Sequence, residues 1–135
     1  MAEAFDNKPV FELLLAAAMQ DSAACQLLAD SAGIGDAVVG FHAQQSVEKS
    51  IKAVLSANMI EFRRTHDLIS LLYLLDDHKL PEPPDADWLD ELNPYAVEAR
   101  YGTISPSGLD RPRVLQTVEK VLNWAMRLTK ALPEA

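Results

Sequence analysis

Apolar residues recur along the chain at steps of three and four, and no segment shows the two-residue alternation of a strand. Phe11, Leu14, Leu15, Ala18, Cys25 and Leu28 make one helical stripe between about Pro9 and Asp30, closed by Gly33-Ile34-Gly35. Asp36 is placed to cap a second helix running to about Asn58, with Ala43, Val47, Ile51, Val54 and Leu55 on its apolar side. His42, Gln45, Lys49 and Lys52 fall on another face of it, and Glu48 precedes Lys52 at the favoured four-residue spacing. Thr65 is placed to cap a third helix carrying Leu68, Leu71, Leu72 and Leu75, with Asp67 in its first turn. Pro81-Glu82-Pro83-Pro84 reads as a stiff connector. Ala86 to Arg100 forms a fourth segment with Trp88, Leu89 and Leu92, broken at Pro94. After a Gly- and Pro-containing loop, Asp110 caps a last helix whose stripe runs from Val114 to Leu132.

Amphipathic helices must bury their stripes against one another. The expected fold is therefore all-α: an up-and-down antiparallel bundle of four main helices plus a short broken one, forming a single domain over residues 1–135. A chain of this length buries roughly two-thirds of its unfolded surface, so it needs no staple. The breadth of several stripes, with Trp88 and Trp124 adding apolar surface, fits a homodimer.

Composition narrows the function. The net charge of −8 disfavours a general DNA-coating role. The longest apolar run, Leu13 to Met19, is too short for a membrane span, and the single cysteine, Cys25, suits a reducing compartment; a cytoplasmic protein is expected. Cys25 lies in an apolar stripe, where burial raises a thiol pKa, so it reads as a core residue and not a nucleophile. His42, His66 and His78 stand in three separate regions without metal-ligand spacing, and no metal or cofactor is expected. The acidic run Glu82, Asp85, Asp87, Asp90 and Glu91 lacks the order of a calcium loop and reads as a solvated face.

The basic residues are more informative. Arg63, Arg64 and His66 precede the third helix, Arg100-Tyr101 closes the fourth segment, and Arg111 and Arg113 open the last helix. Brought together with a helix N-terminus, they would form an anion site of fork-shaped donors. The alternative is that each arginine pairs separately with a nearby acid.

The stretch Phe41-His42-Ala43-Gln44-Gln45-Ser46-Val47-Glu48-Lys49-Ser50-Ile51-Lys52-Ala53-Val54-Leu55 resembles the second helix of HEPN domains (higher eukaryotes and prokaryotes nucleotide-binding). Arg64-Thr65-His66-Asp67-Leu68 resembles the family's next block, and Ala99-Arg100-Tyr101-Gly102 a third, with Gly102 where the family usually has proline. The resemblance implies a helical bundle, usually a homodimer. It also implies association with a minimal nucleotidyltransferase, often as a toxin–antitoxin pair. Many members are metal-independent RNases whose motif sets an Arg a short, defined spacing ahead of a His. That spacing selects Met59, Ile60 and Glu61 before His66, and Leu71, Leu72 and Tyr73 before His78, while no Arg precedes His42. The motif is absent.

The expectation is accordingly a non-catalytic binding module for a nucleotide or RNA, or for a nucleotidyltransferase. Arg63, Arg64 and Arg100 would meet phosphate, and His66 and Tyr101 would hydrogen-bond or stack. Gln45, Glu48, Lys49 and Lys52 would face a partner, or else form a salt-bridged surface worth a few tenths of a kcal/mol. A divergent RNase using His66 with Arg100 or Arg64, and a purely structural dimerisation bundle, are the alternatives.

Overall fold

A computed structural model describes residues 9–96 and 108–130. The elements are α1 (Val10–Ala29), α2 (Asp36–Ala57), α3 (Leu68–Asp77), a 3-10 helix (Ala86–Ala96) and α4 (Arg111–Lys130), with no strand among the described residues. The architecture is the all-α bundle that the periodicity predicts.

α2 is its axis. It packs against every other element, and its buried set includes the predicted Ala43, Val47, Ile51, Val54 and Leu55. Cys25 meets Val39, Asp21 meets His42, and Ala18 meets Ser46, so contacts descend α1 as they climb α2; the pair is antiparallel. α4 begins where α2 begins, because Arg111 bonds Asp36, so α4 starts at the same end of the bundle as α2. Leu68, Leu71, Leu75, Leu89, Leu92, Val114, Val118, Val121 and Trp124 complete the core around α2.

Two helix starts differ from expectation. Asp36 is the first residue of α2 and not its cap, which is Gly35; its carboxylate instead accepts the Leu109 N–H at 2.9 Å and Arg111 Nε at 2.8 Å. At α3 the cap is Asp67, whose side chain accepts the Ile69 N–H at 3.0 Å. Thr65 acts one step earlier by accepting the Asp67 N–H at 3.0 Å, so the helix starts later than a Thr65 cap would place it. Asp110 does cap α4, accepting the Arg113 N–H at 3.1 Å.

The segment expected to be a broken helix is 3-10 from Ala86 through Pro94 to Ala96. Three residues per turn line up Leu89, Leu92 and Tyr95 in one buried row, which an α-helix would fan apart. The Tyr95 ring packs closely on α2 at Gly40. A Cβ there would strike Cδ1, Cγ and Cε1 of the ring, so only glycine admits the contact. Gly40→Ala should therefore destabilise by about 1–3 kcal/mol through overpacking, despite alanine's higher helix propensity. Urea melts would show it, and a neutral or stabilising result would mean that the ring is free to withdraw.

Candidate functional site

Gln44, Glu48 and Lys52 are successive at four-residue steps and so share one face of α2. All three side chains are largely out of solvent, and each uses its polar end to hold the loop before α3. The Glu48 carboxylate is the centre. Oε1 accepts from Gln44 Nε2 at 2.9 Å and binds His66 Nδ1 at 2.9 Å; Oε2 accepts from Lys52 Nζ at 2.8 Å. Lys52 Nζ also donates to the Thr65 carbonyl at 2.8 Å and sits 5.5 Å from the centre of the Phe62 ring. Gln44 Nε2 reaches the His66 carbonyl at 3.1 Å, and its own Oε1 accepts from Gln45 Nε2 at 2.7 Å. The loop is thus clamped at residues 62, 65 and 66 from beneath.

The predicted Glu48–Lys52 pair is present, but its setting differs from the expected salt-bridged surface: the Glu48 side chain is 4% exposed and that of Lys52 11%. Burial changes its weight, because a paired charge removed from water leaves its partner stranded. Lys49 takes the opposite direction and donates to Asp21 Oδ2 at 2.6 Å, with His42 Nδ1 on Asp21 Oδ1 at 3.0 Å. Lys49 and Lys52, expected to face a partner, each hold an internal carboxylate.

Above the clamp, His66 has a half-exposed side chain, and its Nε2 makes no hydrogen bond among the described residues. Donation from Nδ1 to the carboxylate fixes the tautomer: Nε2 is then an acceptor in the neutral ring and a donor in the protonated one. Arg63 and Arg64 are exposed on the same loop, without an ion pair among the described residues. The helix N-terminus beside them is not available to an anion, since the Asp67 carboxylate already fills it.

The other basic residues do not join this group. Arg111 is spent on structure, donating to Asp36 and to the carbonyls of Ala29, Ser31 and Ile34. Asp36 and Glu48 are separated by about 18 Å along α2. Arg113 lies 4.7 Å over the Trp88 ring. Arg100 and Tyr101 lie outside the described residues. Cys25 behaves as its sequence setting predicts: burial pushes the thiol up to about 11, and Sγ donates to the Val39 carbonyl at 3.7 Å. No group of metal-ligating side chains occurs among the described residues, and no helix there is long and apolar enough to cross a membrane.

Sequence reading missed Gln44. The signal was available, since Gln44 stands four residues before Glu48 as Lys52 stands four after it, but only the charged half of that ladder attracts attention. The family model for the HEPN domain matches residues 11–128, which includes the whole clamp and the loop it holds. No curated protein and no solved structure matches the chain.

Proposed function

Because the chain belongs to the HEPN domain family, we propose that it is a non-catalytic binding module that takes a nucleotide or RNA phosphate at the Arg63–His66 loop. Membership makes it a nucleotide-binding or RNase-type module in general. One observation supports the finer reading. The His66 ring is oriented by a buried carboxylate at 2.9 Å, while two guanidinium groups without an ion pair among the described residues stand on the same loop. Guanidinium forks bind phosphate oxygens bidentately, and an oriented imidazole adds one directed contact. The family resemblance adds Arg100 and Tyr101 to the set. The same proposal includes a cytoplasmic homodimer paired with a minimal nucleotidyltransferase, in a toxin–antitoxin arrangement. The outer face of α1 supports the dimer, because Val10, Leu13, Met19 and Leu27 are large, apolar and exposed there.

The Glu48–His66 pair also favours a second reading, a divergent RNase. A carboxylate that orients a histidine is the arrangement of a general acid/base. A purely structural bundle accounts less well for Arg63 and Arg64, which stabilise no described contact.

Calorimetric titration of ATP and of a short single-stranded RNA separates these readings. The binding module predicts heat with at least one ligand. Arg63→Ala/Arg64→Ala should weaken that binding at least about tenfold with an unchanged melting temperature, and His66→Ala and Arg100→Ala should each weaken it less. No heat from either ligand removes the proposal. RNA cleaved by the wild type and spared by His66→Ala transfers the site to the nuclease reading.

A further inference from the structure

α3 is apolar on two sides. Leu68, Leu71 and Leu75 fill the core, and this leaves Ile69, Leu72 and Tyr73 on a second stripe. That stripe forms one wall of a groove of about 420 Å³, closed by Leu80, just before the connector, and by the start of the 3-10 helix. Tyr73 is 68% exposed, a large aromatic surface left to water. The lining is acidic from each of three segments: Asp76 from α3, Glu82 from the connector, and Asp87 and Asp90 from the 3-10 helix. None of these four carboxylates has an ion pair among the described residues, whereas Asp85 nearby is engaged by Thr117 and Lys120.

We infer that this groove is a docking site for a basic segment of another protein, one that seats an apolar or aromatic anchor flanked by lysine or arginine. Charge complementarity identifies the occupant. Four carboxylates without an ion pair among the described residues, set around apolar side chains, repel any anionic ligand and are relieved by cations. They are also spread along the groove: Asp87 and Asp90 are one 3-10 turn apart, about 6 Å, which suits successive basic side chains better than a single amine. The cavity is at the small end of ligand clefts, so it takes an anchor side chain and not a whole helix. Its walls are set before binding. Asn93 of the 3-10 helix accepts the Leu68 N–H at 2.9 Å and donates to Asp67 Oδ1 at 3.1 Å, which ties that helix to the start of α3. The groove makes no use of the His66 loop, so this inference stands apart from the phosphate site.

The test is fluorescence anisotropy with three short labelled peptides, of leucine and lysine, of leucine and glutamate, and of serine and lysine, against the full chain. The leucine–lysine peptide should bind, more weakly at high salt, and the other two should not. Asp76→Lys/Asp90→Lys should weaken it by about tenfold or more, and Tyr73→Ser by about fivefold. Asp30→Lys/Glu119→Lys, an equal charge change at exposed positions outside the groove, should alter it less than about twofold. Three results would overturn the inference: no binding at low salt, equal loss in the two double variants, or equal binding of the serine–lysine peptide. Loss of self-association on sedimentation of Tyr73→Ser would overturn it too, by giving the groove to a second copy of the chain.

Discussion

Glu48→Ala should cost about 3–5 kcal/mol, the range for removing one partner of a buried ion pair. The mutation leaves the Lys52 ammonium in a site where only 11% of its side chain meets water, and it unpairs a Gln44 amide hydrogen and His66 Nδ1. For a domain of this size the loss corresponds to a fall in Tm on the order of 10–20 °C. Two further variants separate charge from shape. Glu48→Gln keeps an acceptor for Lys52 and should lose roughly half as much. Glu48→Leu/Lys52→Met removes both charges together and should recover part of the stability, because no charge is then stranded, although the Gln44 amide, His66 Nδ1 and the Thr65 carbonyl each lose a partner. Function should part from stability in this series. The double variant is expected to stay folded yet lower the affinity of the proposed phosphate site, since the carboxylate that orients the His66 ring is gone. A drop in Tm below about 3 °C for Glu48→Ala would mean that water reaches the carboxylate and that the clamp is not a buried device.

The difference between a surface pair and a buried one marks where sequence reading stops. Helix positions were legible because an apolar stripe repeats: Val47, Ile51 and Val54 declare a buried face without any knowledge of what covers it. The Glu48–Lys52 pair was legible as a spacing, but its burial comes from a loop some fifteen residues further on, and no periodicity encodes that. Gly40 shows the same limit. A glycine inside a helix reads as a local weakness, and only the approach of Tyr95, from a 3-10 helix, makes it a fitted contact. The 3-10 row itself had a signal, since Leu89, Leu92 and Tyr95 are spaced by three, yet over so few residues the fan of about 120° that an α-helix would give them still falls within one broad apolar face. The cluster of arginines divided for a related reason. Sequence shows that guanidinium groups exist near helix ends; it does not show which ends meet, and Arg111 meets the α1–α2 turn while Arg63 and Arg64 stay in solvent.

Arg111→Ala should destabilise the bundle by about 2–4 kcal/mol without altering affinity at the proposed phosphate site. Its guanidinium closes the joint of three helices: Nε donates to Asp36 Oδ1 at 2.8 Å, NH1 to the Ala29 carbonyl at 3.0 Å, and NH2 to the Ile34 carbonyl at 2.6 Å. Ala29 ends α1, where carbonyls have no partner within the helix and a cation suits the dipole. Charge-assisted bonds contribute about 1.5–3 kcal/mol each but do not add, and Asp36 is about one-third exposed, so the total stays well below the sum of the separate bonds. Arg111→Lys should rescue little, because one ammonium cannot span acceptors arranged around a planar fork. The pair also leaves a mark in pH. The Leu109 N–H and then Arg111 hold the Asp36 carboxyl below its usual range. A carboxyl depressed in the folded state stabilises the fold above its unfolded value, near 4, and loses that contribution as pH falls toward the lower folded value. Wild-type stability should therefore decline below about pH 4, and the decline should be shallower in Arg111→Ala, though not abolished, since the Leu109 bond remains. Thermal melts at pH 3, 4, 5 and 7 measure both effects. A variant within about 2 °C of wild type at pH 7, with an unchanged acid limb, would show that water replaces the guanidinium at no cost and that α4 is held by its apolar stripe alone.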